Sequence, residues 1–298
     1  MRVLGAALAL ALTLLAGAAS AQGRCADVDP QGRPQNTPRE FVGQDLDQIT
    51  ERGFIEFAVY ENFPPYSWEE GSTPRGVDIE VGRLIAADLG VEPRFRFVQA
   101  GETVEADLMN YVWRGAVVGG RVSNVMLHVP YNSDFACRVE QVVFTGQYYA
   151  ERIAIAYRTE DYPDGGPVPA YFRFDTVAVE NDTISDFYLS SFAGGQMRAN
   201  VRRYPTTAAA MAALAAGETK AAMGPLAQLE HGAGEGVAVH TPPLPGLAVG
   251  RWTLGVAVHH AHRDVSYAVD YAIETALADG RIAAIFEGYG LSFTEPER

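Results

Sequence analysis

Between residues 54 and 60 the apolar side chains of Ile55, Phe57 and Val59 alternate with Glu56, the period of a half-buried strand. After a loop, Val81, Leu84, Ile85 and Leu89 recur at helical spacing, with Asp78 placed to cap the helix and Gly90 to end it. Residues 94–98 alternate again and predict a second strand. A second helix is predicted over 104–113 and a short buried strand over 125–127. Strand, helix, strand, helix, strand is the order of a sheet with crossover helices. Residues 153–157 predict a further strand, and 162–169, rich in Pro and Gly, a connection. A second set follows: strand 176–179, helix from Thr183 to Leu189, helix 206–216 closed by Gly217, strand 221–223. Residues 241–246 break the pattern before strand 254–258, a helix over 265–277 capped by Asp264 and closed by Gly280, and a last helix over 282–289.

Two α/β units joined by two Pro/Gly-rich connections predict two lobes with a cleft between them. Residues 49–157 and 254–298 would form lobe 1, and residues 158–253 lobe 2. Ligand sites in such sheets fall outside the carboxyl ends of the strands, and lobe interfaces are favoured places for pockets.

The chain start changes the picture. Arg2, an apolar run and the small residues Ala19, Ser20 and Ala21 read as a secretory signal peptide, residues 1–21, cleaved after Ala21. Residues 22–48 are polar and read as an irregular arm. No later apolar stretch is long enough for a membrane helix, so an exported, non-inserted product is expected. The formal net charge of −14 argues against nucleic acid or an anionic membrane as partner. Cys25 and Cys137 are the only cysteines. In an oxidising compartment they read most simply as a disulfide, and two buried free thiols are the other reading. A bridge closing so long a loop would stabilise by about 4–5 kcal/mol in the chain-entropy account.

Four segments carry a likeness to a known family. They are residues 58–67, with Phe63, Pro64, Pro65 and Tyr66; residues 76–80, Gly-Val-Asp-Ile-Glu; Arg138 with residues 142–145 and Tyr148; and residues 255–258 continuing through Ala278, Asp279 and Gly280 to Gly288, Tyr289 and Gly290. In this order the chain resembles the bacterial periplasmic solute-binding proteins of family 3, the amino-acid-binding type, over about residues 48–293. The resemblance implies an α/β fold of two lobes (type II), with mixed sheets flanked by helices and a hinge of two crossings. It implies a small solute in the cleft, no cofactor, and an ABC transporter permease as partner. It places Phe63 and Tyr66 in an aromatic pocket loop, Arg138 as a carboxylate grip and Thr183 as the second-lobe hydroxyl contact. Glu61 and His128 are further candidates to face the cleft. Trp68 reads instead as a solvent-shielding residue of the turn.

The departures limit the ligand. Where amino-acid-binding relatives carry Ser/Thr three residues before the arginine, this chain has Phe135, and Pro225 stands where they supply an aspartate for the ammonium. A buried ammonium without a carboxylate costs several kcal/mol. A free α-amino acid is therefore not expected, while a small carboxylate held by Arg138 stays open. Residues 110–115 and 125–130 resemble a subgroup encoded beside PQQ-dependent alcohol dehydrogenases, which implies as alternative an accessory role for such a quinoprotein.

Other chemistry is sparse. His259, His260 and His262 are the densest set of metal-type ligands, but adjacent histidines in one loop converge poorly, and no metal is expected. No Gly-x-Ser-x-Gly, P-loop, haem-attachment or Cys-x-x-Cys motif occurs. Glu61, Asp78 and Glu80 form a conceivable acid–base set for a dehydratase-type cleft enzyme. Asp78 and Glu80 read more simply as acidic residues favourable to a helix start, and an enzyme is not expected.

Overall fold

The computed structural model describes residues 44–117 and 120–297. The expected signal peptide, its expected cleavage site after Ala21, and Cys25 lie outside the described residues. So do residues 22–43 of the irregular arm expected over 22–48, whose last residues, 46–48, are helical instead.

A short helix, α1 (Leu46–Arg52), opens the described chain. Asp45 caps it, accepting from the Gln48 amide at 2.9 Å while the Gln48 side chain accepts from the Asp45 amide, a reciprocal capping box. Strand β1 (Phe54–Tyr60) leads into a loop and a hairpin of β2 (Trp68–Glu70) and β3 (Thr73–Arg75). Helix α2 (Val77–Asp88), strand β4 (Glu92–Val98), helix α3 (Val104–Leu108) with a wider turn through Trp113, and strand β5 (Val125–Tyr131) complete the first run. Helix α4 (Ser133–Arg138) precedes β6 (Val142–Arg158), a single strand of 17 residues. Then follow β7 (Val177–Glu180), α5 (Ile184–Gly195), β8 (Val201–Tyr204), α6 (Thr207–Ala215), β9 (Ala221–Pro225), α7 (Leu226–Gly232) and β10 (Val237–His240). Strand β11 (Arg251–His259) and helices α8 (Arg263–Ala278) and α9 (Arg281–Gly288) close the chain.

Among the described residues, nine strands share one mixed sheet in the order β4-β1-β5-β11-β6-β9-β7-β8, with β10 also on β6, and β2 and β3 pair separately. β1 lies parallel to β4 and β5, and β7 parallel to β8 and β9. β11 runs antiparallel to both β5 and β6. β6 belongs to both halves. Its residues from Val142 to Arg152 pair with β11, and those from Ile153 to Arg158 pair with β9 and β10. The chain thus crosses once inside β6 and returns between β10 and β11.

Side chains alternate across the sheet, so each half has a core on each face. In the first half Ile55, Phe57 and Val59 pack with Ile79, Ile85, Val269 and Phe286. On the opposite face Ala58 and Met126 pack with Leu108, Val112 and Trp113. In the second half Val177 and Val179 pack with Leu189 and Met197, and Ala178 and Ala222 with Met211 and Leu214.

The two acidic residues expected to cap helices do other work. Gly76, not Asp78, stands before α2, and Asp78 is fully buried. Asp264 lies within the first turn of α8, where its carboxylate accepts from the Leu46 amide at 2.6 Å and ties the two ends of the described chain together. No helix of the described residues is long and apolar enough to cross a membrane.

Candidate functional site

The loop after β1 is tightly self-bonded. The Phe63 amide donates to the Ser67 carbonyl at 2.8 Å, the Ser67 amide to the Phe63 carbonyl at 2.9 Å, and the Ser67 hydroxyl to the Tyr60 carbonyl at 2.6 Å. Gly76 closes the loop with φ +122°, and a Cβ there would lie 2.1 Å from the Tyr66 carbonyl oxygen. Only glycine permits this approach.

The loop's aromatics gather over one histidine. The Phe63 ring stacks on Tyr66 at 5.4 Å, and His128 of β5 lies edge-on to Phe63 at 5.0 Å and 4.1 Å from Tyr66. His128 takes a left-handed backbone (φ 61°) that turns its ring under the loop. Its Nδ1 faces Asp78 Oδ2 at 3.2 Å without the alignment of a hydrogen bond. The other Asp78 oxygen accepts from the Tyr148 hydroxyl at 2.6 Å. The Tyr66 hydroxyl donates to Glu151 of β6. Glu151 also accepts from the Leu226 amide at 3.1 Å, at the start of α7. A carboxylate just before the crossing therefore joins a loop of the first half to a helix of the second. Burial raises the Glu151 pKa, against the opposing effect of the Tyr66 hydrogen bond, and burial drives Tyr66 and Tyr148 well above the ordinary tyrosine value.

Two cavities flank Phe63. The smaller, about 90 Å³, sets Asn62, Phe63 and Pro64 of the first half against Glu180, Thr207, Gln228 and His231 of the second. The larger, about 380 Å³, is lined by Tyr60, Glu61, Phe63, Glu102, Val104 and Asp107 among others. Both lie at the carboxyl ends of parallel strands, where such sheets place ligands. Their charged lining is acidic: Glu61, Glu102 and Asp107 in one, Glu180 in the other. Glu180 is engaged from within the protein, accepting from the Thr207 amide at 2.9 Å and the Thr207 hydroxyl at 2.7 Å at the start of α6. Asp107 accepts from the Tyr60 hydroxyl at 2.8 Å and the Gly101 amide at 2.7 Å, and burial raises its pKa.

The structure brings Phe63, Tyr66, His128 and Glu61 into one region. Phe63 and Glu61 line cavities. Tyr66, expected to face a ligand, is 1% exposed, because its hydroxyl is drawn inward to Glu151. His128 lines neither cavity. Arg138 ends α4 with its side chain 52% exposed and 3.4 Å from Glu105, and it too lines neither cavity. Thr183 caps α5: its hydroxyl accepts from the Asp186 amide at 3.4 Å and donates to the Glu180 carbonyl at 2.8 Å. Trp68 packs in β2 with its ring near His231 and Tyr289, at 5.7 and 5.8 Å, spanning the two halves. Glu80 pairs with Arg83 on the helix surface.

Sequence reasoning missed Glu151, Glu180 and Thr207, and it gave Tyr148 a place in a motif but no role. Asp78 carried a signal, a charge set between Val77 and Ile79 in a helix that buries both. Among the described residues no group of three or more His, Cys, Asp or Glu side chains is placed to hold a metal. In the histidine loop His259 Nδ1 accepts from the Ala261 amide at 3.1 Å, and His260 Nδ1 lies 3.0 Å from the Gln141 carbonyl. Burial, then the neighbouring His260 and His262, lowers the His259 pKa to about 3.

No protein-family model matches the sequence, and no curated protein matches it in sequence. Solved structures do match in shape. An ancestral cationic amino acid solute-binding protein aligns with a TM-score of 0.67 at 18% identity, over 82% of this chain and 98% of that one. The fold is that of the type II periplasmic binding proteins. An L-arginine-bound amino acid ABC transporter substrate-binding protein from Streptococcus pneumoniae shares this periplasmic-binding fold, with a TM-score of 0.58 at 17% identity over 84% of this chain and all 100% of that one. A histidine kinase sensor domain similar to periplasmic binding proteins aligns at 0.56 with 22% identity, over 82% of this chain and 98% of that one. The periplasmic-binding fold therefore occurs in proteins of different function, and the function of this chain has to be argued from its site.

Proposed function

We propose that this chain is an exported solute-binding protein that closes its two halves over a small solute and delivers it to an ABC-type transporter. The observation that carries the reading is Phe63, which stands between two cavities at the strand ends with first-half residues on one side and second-half residues on the other. The similar structures described as solute- and substrate-binding proteins support it.

The lining favours a different solute from the one the sequence suggested. Arg138 is paired with Glu105 and lines neither cavity, and every charged side chain lining the two cavities, His231 aside, is a carboxylate. A carboxylate solute would meet only like charge there. A small neutral-polar or cationic solute fits better, with Phe63 supplying a stacking or cation–π face. The positions that depart from amino-acid-binding relatives are used structurally. Phe135 is buried against Phe144 at 5.2 Å, and Pro225 ends β9 where the chain turns to offer the Leu226 amide to Glu151.

A thermal-shift screen of small polar and cationic solutes, followed by calorimetry, tests the reading. Phe63→Ala should weaken the solute found by about tenfold or more, since an aromatic contact contributes on the order of 1–2 kcal/mol. Arg138→Ala should leave its affinity within about twofold, the span of a rim charge outside the site. A solute whose binding collapses with Arg138→Ala would restore the carboxylate reading. The accessory role beside a quinoprotein dehydrogenase rests on residues 110–115 and 125–130. In the structure these supply Val112, Trp113, Met126 and Val129 to the first-half core. Co-purification with a dehydrogenase, together with silence in the solute screen, would favour that role.

A further inference from the structure

At the amino ends of β1, β4 and β5, the end of the sheet opposite the cleft, lies a cavity of about 240 Å³ lined by Arg52, Phe54, Glu56, Arg94, Arg121 and Asn124, among others. Two of its guanidiniums share one phenyl ring: Arg94 lies 3.4 Å and Arg52 4.0 Å from the Phe54 ring centre. The two charges are thus nearer to each other than the ~8 Å screening length of physiological salt. Arg52 donates to neutral acceptors, the Phe54 carbonyl at 2.9 Å and the Asn124 side chain. Among the described residues no carboxylate lies within ion-pair distance of Arg52 or Arg94. Only Arg121 has one, Glu56 at 2.7 Å. Burial and the neighbouring Arg94 and Arg121 lower the Arg52 pKa, opposed by Glu56, so this guanidinium pays for its place.

Among the described residues the one carboxylate lining this cavity is Glu56. Three guanidiniums against one carboxylate leave an excess of two positive charges, the complement of a dianion. The Arg94 fork makes no hydrogen bond to the described protein, and planar forks grip tetrahedral oxyanions through paired N–H groups. We infer that this cavity is a second binding site, independent of the cleft, for a small dianionic oxyanion of the phosphate or sulfate kind.

The test uses the full exported chain. Thermal unfolding and calorimetry are followed as inorganic phosphate is added at near-neutral pH, with chloride held to the same ionic strength as reference. A saturable rise in Tm with phosphate, absent with chloride, is expected through linkage of binding to stability. Arg94→Gln, at an exposed position, should weaken phosphate at least tenfold, and Arg121→Gln should weaken it as well. Phe63→Ala, which alters the cleft, should leave the phosphate response unchanged. An equal response to chloride, a wild-type response in both arginine variants, or loss of the response in Phe63→Ala would each overturn the inference. Vesicles carrying phosphatidic acid, a phosphomonoester that can take a second negative charge, form a parallel arm: binding to them without response to the free ion would identify a lipid headgroup as the source of the oxyanion.

Discussion

Tyr66 and Phe63 are three residues apart and do opposite things. Phe63 lines both cavities of the cleft, whereas Tyr66 sends its hydroxyl into the interior, to the buried Glu151. Tyr66→Phe removes one donor from a carboxyl that burial already disfavours as an anion. A loss of about 1–3 kcal/mol is expected, read as a Tm decrease of roughly 2–4 °C per kcal/mol. Solute affinity should stay near wild type, because the hydroxyl reaches no cavity. A variant with normal stability and lost affinity would put Tyr66 in the cleft instead. Phe63 was recognisable beforehand because an aromatic between a strand end and two prolines has no packing partner in the local pattern. Tyr66 looked the same in sequence. What separates them is Glu151, 85 positions along the chain.

Among the elements, β1, α2 and β4 were legible because their larger apolar residues recur at strand or helix spacing. β6 was not. Gln147, Glu151 and Arg152 interrupt its apolar run, so only its end, residues 153–157, read as a strand. Two of its polar members find partners from elsewhere in the chain: Glu151 accepts from Tyr66 and Leu226, and Arg152 donates to Thr294. The four-residue strands β8 and β10 are too short for alternation to register. The helix α1 did leave a sign, the Asp45 and Gln48 spacing of a capping box. At this scale Gly76 controls how the aromatic loop meets α2. Gly76→Ala would force a Cβ against the Tyr66 carbonyl in a backbone that L-residues rarely adopt. A loss of more than about 2 kcal/mol is expected. Urea unfolding would show it as a lowered midpoint with little change in slope.

Two buried groups give the whole molecule an opposed response to acid. His259 has its pKa lowered from 6.5 to about 3, so its contribution is complete above pH 6.5 and is lost as pH falls through 6.5 toward 3. The unfolded chain binds the proton first, at up to about 1.4 kcal/mol per pH unit. Glu151, with its pKa raised, acts the other way: its contribution is complete below the ordinary glutamate range and is lost as pH rises through its folded value. His259→Asn keeps an acceptor for the Ala261 amide and should flatten the acid limb of stability between pH 6.5 and 3. Glu151→Gln should be no more stable than wild type at the acid end and gain on it toward neutral pH. Denaturant midpoints across this range check both, and parallel curves for wild type and His259→Asn would remove His259 from the account.

Glu180 has a consequence for the cleft as a whole. The start of α6 is the kind of place where a free anion would settle, and a carboxylate tethered to β7 already occupies it. A resident on so short a leash acts at an effective concentration of ~millimolar or more. The protein thus carries a built-in competitor, and an acidic solute arriving from outside has to displace a rival that never diffuses away.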